Sequence, residues 1–350
     1  IELAMKVVII LAICALTTDA AVPIPEEERV SGENGWYIPQ ADGSLVWVSI
    51  EEGEQMLDEL ENKDEIEGRL STVPVSFYLY TNRNPSKKQK ITETAKSINN
   101  SDFDASNPTR FVIHGWTQSY TAGMNKDIRA AWLGRGKYNV IIVDWARARS
   151  VDYATSVVAV PKVGKKVASM INFLVDKFGM NLDETEVIGH SLGAHVAGYA
   201  GKNTKNGMLH AIVGLDPALP FFSYSKPNKR LNANDANYVE SIQTNGGQLG
   251  FLKPIGKGAF YPNGGKTQPG CLLDLTGACS HARSTAYYAE AVARDDFPSM
   301  RCGDYQEAVK DDCGTSYSGV KMGAITNAYM VNGDYYVPVR SSSPYGFGSS

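Results

Sequence analysis

The sequence predicts an α/β fold, a mostly parallel sheet flanked by helices on both sides. Three observations carry this. The runs Phe111-Val112-Ile113 and Val140-Ile141-Ile142-Val143 are apolar at every position, as strands buried on both faces of a parallel sheet must be. After residue 70, such runs alternate with amphipathic stretches instead of clustering apart from them. The 350 residues are 43% apolar and 21% charged, an ordinary globular composition that excludes a disordered, collagen-like or coiled-coil chain.

In chain order, strands are expected at 75–80, 110–114, 139–144, 186–189, 211–216 and 238–244, and helices at 121–133, 157–178 and 194–202. In the second helix Val160, Val163, Val167, Met170, Ile171 and Leu174 recur at helical spacing. Pro161, near its predicted start, marks an early-turn position or a kink. The main domain therefore runs from 73 to 340. The Ser- and Gly-rich stretch 341–350 reads as a flexible tail.

The N-terminal residues read as targeting sequence. The first Met is Met5. It is followed by Lys6, an apolar run over 7–16 and a small-residue site at Thr18-Asp19-Ala20. That is the shape of a secretory signal peptide cleaved after Ala20, so residues 1–20 are set aside and the protein is expected to be secreted and extracellular. Cysteine usage agrees. Of five cysteines, Cys14 leaves with the peptide; Cys271, Cys279, Cys302 and Cys313 remain as two close pairs. Spacing suggests Cys271–Cys279 and Cys302–Cys313, although four cysteines allow three connectivities. With no C-x-x-C spacing and no adjacent histidines, zinc is not expected and no metal-ligating residue is assigned. No apolar run reaches the roughly 18 residues of a membrane span. One glycosylation sequon, Asn99-Asn100-Ser101, is present.

Charge is unevenly distributed. Residues 22–70 hold 14 acidic against three basic side chains, whereas 71–350 hold 22 acidic against 30 basic. The stretch 21–72 is thus an acidic leader or prosegment on a basic domain, with a helical pattern over 51–67 that places Met56, Leu57, Leu60 and Ile66 on it. If it docks by charge, deleting it should alter activity or solubility in a salt-dependent way. A simple solubilising extension is the other reading. The basic domain is attracted to anionic surfaces. Its cations are scattered and no nucleic-acid motif is present, so a lipid surface, contacted peripherally, suits it better than nucleic acid.

The chemistry lies at Gly189-His190-Ser191-Leu192-Gly193. The G-x-S-x-G pattern is weak alone. Here a predicted strand precedes it and a predicted helix follows, the setting of a nucleophile elbow in which Gly189 and Gly193 omit side chains that would collide. A serine hydroxyl needs a base. Of the five histidines, only His281 follows Ser191 with room for an acid between them; His114, His190, His195 and His210 do not. Asp216 ends the strand Ile212-Val213-Gly214-Leu215 and can orient an imidazole, with Asp235 its rival in an Asn-rich loop. The oxyanion donors are expected to be the N–H groups of Leu192 and Trp116, the latter in the loop after Phe111-Val112-Ile113-His114-Gly115. The P-loop-like Gly264-Gly265-Lys266-Thr267 fails, because Phe260 holds the first required glycine position.

FVIHGW (111–116), VDW (143–145), VIGHSLGAH (187–195), GLDPA (214–218), FYPNGG (260–265), PGC (269–271) and CSHARS (279–284) together resemble the pancreatic-type neutral lipases, in particular their secreted, single-domain insect and phospholipase A1-like members. The resemblance covers about 74–340. It implies the α/β-hydrolase fold without the C-terminal β-sandwich that binds colipase, and a Ser191–Asp216–His281 triad cleaving acyl esters through an acyl-serine. It also implies a lid between Cys271 and Cys279, only seven residues long, carrying Leu272, Leu273 and Leu275. No cofactor is required. In the family's calcium loop Arg230 and Asp235 match, while Pro227 and Asn232 replace carboxylates, so calcium binding is expected to be weak or absent. Phospholipase A1-like activity stands ahead of triacylglycerol hydrolysis on lid length and charge. A silent lipid-binding or yolk-storage protein on a lipase scaffold is the alternative.

Overall fold

The computed structural model describes residues 24–66 and 73–348; the expected signal peptide lies outside them. The leader folds first into a hairpin, β1 (Gly35–Pro39) antiparallel to β2 (Leu45–Ser49), which runs directly into α1 (Ile50–Ile66). The main domain follows as β3 (Val75–Tyr80), β4 (Gln89–Ile91), α2 (Ala95–Asn99), β5 (Thr109–Ile113), α3 (Gly123–Arg135), β6 (Asn139–Trp145) and α4 (Tyr153–Phe178). Then come β7 (Thr185–His190), α5 (Leu192–Asn203), β8 (Ala211–Leu215), β9 (Tyr238–Ile242) and β10 (Gly258–Pro262). The chain closes with α6 (Ala278–Arg294), β11 (Met300–Arg301), α7 (Tyr305–Lys310), α8 (Asn327–Met330) and β12 (Gly333–Val337).

Ten strands form one sheet in the order β11-β12-β10-β9-β8-β7-β5-β6-β3-β4. The pairings from β6 through β12 are parallel, and antiparallel strands β3, β4 and β11 finish the edges. The all-apolar runs earn their burial by alternation. Phe111, Ile113, Ile141 and Val143 enter the core under α4 and α5, while Val112, Val140 and Ile142 enter the core under α3 and α6. One strand therefore supplies two cores.

The predicted elements are all present, with differences at their ends. The second helix starts at Tyr153, not 157, because Asp152 caps it by accepting from the N–H groups of Ala154 and Thr155. Pro161 consequently sits inside the helix, where it denies the Val157 carbonyl its partner, and not in the first turn. The expected strand 211–216 stops at Leu215, since Asp216 has a left-handed φ of 42°. The tail differs from the flexible segment expected. As far as residue 348 it is pinned, with the Gly346 N–H donating to Glu290 at 2.8 Å and the Tyr345 ring packed 5.0 Å from that of Tyr287.

The leader docks chiefly through an apolar anchor. Trp36 is 1% exposed, packs 5.7 Å from the Phe221 ring and donates its indole N–H to the Phe222 carbonyl at 3.1 Å. Leu57 and Leu60 of α1 pack on the core beside α4. The charged contacts across the seam, Lys226–Glu54 and Lys253–Glu33, are half-exposed pairs. Pairs of that kind contribute roughly 0–1 kcal/mol, so the salt-sensitive share of docking is small.

Candidate active site

Ser191 stands between β7 and α5 with φ 56° and ψ −123°, a conformation that L-residues adopt only under strain. The turn is that tight because a Cβ at Gly189 would overlap the Gly193 carbonyl and one at Gly193 would overlap the Ile113 carbonyl. The Ser191 N–H donates to the Leu215 carbonyl at 3.0 Å, tying the elbow to β8. Leu192 is the first residue of α5, so its N–H has no intrahelical acceptor and stands at a helix N-terminus.

Asp216 follows β8 and is fully buried. One oxygen, Oδ1, accepts from the N–H groups of Thr244 (2.7 Å) and Asn245 (2.9 Å); the other, Oδ2, lies 2.5 Å from Nδ1 of His281. His281 occupies the first turn of α6. That helix is capped by Asp274 of the short disulfide loop, which accepts from the N–H groups of Cys279 (3.1 Å) and Ser280 (2.7 Å). Both disulfides are Cys271–Cys279 and Cys302–Cys313. Ser191, His281 and Trp116 line one cavity of about 340 Å³, along with Tyr153 and Leu249.

The loop after β5 is braced by residues that the sequence placed far apart. His114 contacts Asp144 (Nε2–Oδ1, 3.2 Å), the Trp145 indole donates to the His114 carbonyl at 3.0 Å, and the Trp116 indole donates to the Ser150 carbonyl at 2.8 Å. Burial raises the Asp144 carboxyl, but hydrogen bonds from His114 and Arg149 outweigh it and hold it below the usual carboxylate range. Two further histidines, His190 and His195, are buried. His195 is pushed down to about 3 by burial and bridges the Ala218 carbonyl and the Leu231 N–H. His190, also buried and pushed well down, lies with its ring 4.6 Å from that of His281, tilted by 43°, as a neutral neighbour.

A sequence model of the lipase family matches residues 48–345. The chain belongs to the lipase family. Its relatives include the pancreatic triacylglycerol lipase of Cavia porcellus, 35% identical over 69% of this chain and 57% of the relative. The human pancreatic triacylglycerol lipase is 34% identical over 71% and 58%, and pancreatic lipase-related protein 2 of Myocastor coypus is 35% identical over 69% and 56%. The chain thus spans somewhat over half the length of these curated relatives. Among solved structures, a dienelactone hydrolase from Anabaena variabilis matches with a TM-score of 0.32 at 10% identity, covering 60% of this chain and 80% of that one; so low a score supports no further comparison. The family's α/β-hydrolase fold agrees with the sheet order and the strand–elbow–helix placement of Ser191.

In the calcium loop that the family likeness implies, the side chains present are engaged with one another. The Lys202 ammonium donates to the Arg230 carbonyl at 2.7 Å and to Asp235 Oδ2 at 2.5 Å. Asn232 turns its amide toward the same carboxylate, donating to Oδ1 at 3.0 Å, while its backbone N–H reaches Oδ2 at 2.9 Å. Every oxygen of Asp235 already faces a donor. The only cluster with metal-ligand spacing among the described residues, Cys271, Asp274 and Cys279, has its two sulfurs joined in a disulfide.

Sequence reasoning missed three contributors: Asp274 as the cap of the helix bearing His281, Lys202 as the partner of Asp235, and the leader hairpin, whose tip reaches the cavity. The first had a readable signal, an Asp a few residues before a helical run. The other two depend on long-range packing. Leu272, Leu273 and Leu275 stand 90%, 93% and 84% exposed at the cavity's side of the molecule, in the loop that also supplies Thr276 to the cavity lining.

Proposed function

We propose that this chain is a secreted serine carboxylester hydrolase that cleaves acyl esters of lipids. The carrying observation is the joint placement of a strained Ser191 and an Asp216-bound His281 around one cavity. Ser191 Oγ attacks the ester carbonyl while His281 Nε2 takes its proton; Nδ1 is committed to Asp216, which fixes the tautomer and stabilises the imidazolium. The developing oxyanion is held by the N–H groups of Leu192 and Trp116. Collapse breaks the bond to the alcohol, which leaves with the proton from His281. Water, deprotonated by the same imidazole, then releases the fatty acid and restores Ser191.

The substrate class follows from the rim. Seven residues between Cys271 and Cys279 are too few to cover the cavity, and their three exposed leucines suit insertion into a lipid surface. An open, wet mouth tolerates a polar headgroup, which favours phospholipid and a phospholipase A1-like reaction. The names of the curated relatives favour triacylglycerol instead. The proposed contact with lipid is peripheral: among the described residues no helix is long and apolar enough to cross a membrane. Neither colipase nor a cofactor is part of the scheme, and the two disulfides support an oxidising, extracellular compartment.

Fatty-acid release by the purified protein tests this, with phosphatidylcholine vesicles against emulsified long-chain triglyceride and Ser191→Ala as control. Faster release from vesicles supports the phospholipase reading, and preference for the emulsion supports the triacylglycerol one. Activity retained in Ser191→Ala overturns the nucleophile assignment. No release from either substrate, together with no phosphonate adduct at Ser191, supports the silent lipid-storage scaffold.

A further inference from the structure

We propose that the N-terminal hairpin is a fixed wall of the substrate cavity that sets acyl-chain acceptance, not a removable prosegment. The inference rests on the hydrolase reading above. Pro39, Gln40, Ala41 and Leu45, at the turn between β1 and β2, line the same 340 Å³ cavity as Ser191 and His281. The tip is stiffened from within: the Gln40 N–H donates to the Ser44 carbonyl at 2.9 Å, the Gly43 N–H to the Gln40 carbonyl at 3.0 Å, and Asp42 accepts from the Ser44 N–H at 2.9 Å. It is also anchored from below. Trp36 and Ile38 of β1 are buried in the main core, so lifting the hairpin would expose both.

The placement matters because the disulfide loop offers little. It is short and its leucines point to solvent, so it cannot enclose a fatty-acyl chain. The hairpin tip supplies apolar surface to the cavity lining through Pro39, Ala41 and Leu45. The lipase family match begins at residue 48, so the tip lies before the matched stretch. A wall of this kind selects by volume. A larger side chain shortens the acyl chain that fits, and a smaller one lengthens it.

The test uses the full chain and compares kcat/KM for p-nitrophenyl palmitate with that for p-nitrophenyl butyrate. In Ala41→Trp the palmitate-to-butyrate ratio should fall about tenfold, the equivalent of excluding roughly two methylenes from the cavity. In Leu45→Ala it should rise about fourfold, one further methylene accommodated. Val46→Thr, on the outer face of β2 and half-exposed, is the control and should leave the ratio unchanged. Thermal melts of each variant separate misfolding from altered selectivity. If both cavity-facing variants fold and keep the wild-type ratio, the wall is overturned. So it is if excision of residues 24–49 leaves an active enzyme with an unchanged ratio, which is the behaviour of a prosegment. A wild-type protein that cleaves neither ester and takes no phosphonate at Ser191 overturns the hydrolase reading itself, and this inference with it.

Discussion

The Lys202 ammonium lies 2.5 Å from Asp235 Oδ2 and donates to the Arg230 carbonyl at 2.7 Å, within the loop where the family likeness implies a metal. Burial raises the Asp235 carboxyl and lowers the Lys202 ammonium from their ordinary values, yet each keeps the other paired. Chelation by EDTA should therefore leave both hydrolysis and the melting temperature unaltered, and added calcium should raise neither. Lys202→Met strands a buried carboxylate and should cost about 2–4 kcal/mol in urea unfolding, without rescue by calcium. A calcium-dependent rise in the wild-type melting temperature would contradict this.

Gly250 backs onto Asp216, and a Cβ there would overlap the carboxylate that holds His281. Gly250→Ala forces the carboxylate or the 244–250 turn to shift. Because Asp216 Oδ1 is already held by two backbone N–H groups, the shift falls on the Asp216–His281 contact. The expected outcome is a fall of about 10²-fold in kcat, since the triad tolerates little misplacement. The loss in stability should be modest by comparison, measured as steady-state kinetics beside urea unfolding.

Much of this site was legible before any geometry, and the reasons differ by residue. Ser191 and its glycines lie in one contiguous turn, and the all-apolar strands before and after it carry their own signal. Asp216 and His281 were reachable by chain order, because an elbow constrains where its partners come from. The hairpin tip was not legible. Its placement over Ser191 depends on Trp36 finding Phe221 and Phe222 some 186 residues away, a pairing that no local pattern encodes. The acidic charge of the leader pointed to docking but to the wrong force, since the seam is carried by a buried indole and only edged by ion pairs. Strands β10 and β12 were missed for a simpler reason. Their runs, GAFYP and GDYYV, are glycine-started and tyrosine-rich, with weak periodicity beside the central strands.

Leu272, Leu273 and Leu275 are exposed without covering anything, at a cost that a lipid surface would remove. Each leucine transferred from water contributes roughly 1.5–3 kcal/mol when fully buried. Replacing all three by serine should weaken sedimentation with phosphatidylcholine vesicles by at least about tenfold, allowing for partial insertion. Vesicle hydrolysis should drop far more than hydrolysis of a soluble short-chain ester. Equal losses on both substrates would mean that the leucines serve the fold and not the interface.

Glu240 is buried under α8, accepting from the Tyr238 hydroxyl (2.8 Å), the Asn327 amide (2.9 Å) and the Gly323 N–H (2.8 Å). Burial nonetheless outweighs these donors and pushes its carboxyl up to about 7 from an ordinary 4.5. A raised value means that the folded state holds the proton more tightly than the unfolded chain does. The stabilisation is thus complete below about pH 4.5 and is lost as pH rises through about 7. Its full size is on the order of 3 kcal/mol. Glu240→Gln removes the titration. Urea unfolding at pH 5 and pH 8 should therefore show a wild-type loss of stability that the variant largely lacks, and parallel curves for the two proteins would place the Glu240 proton elsewhere.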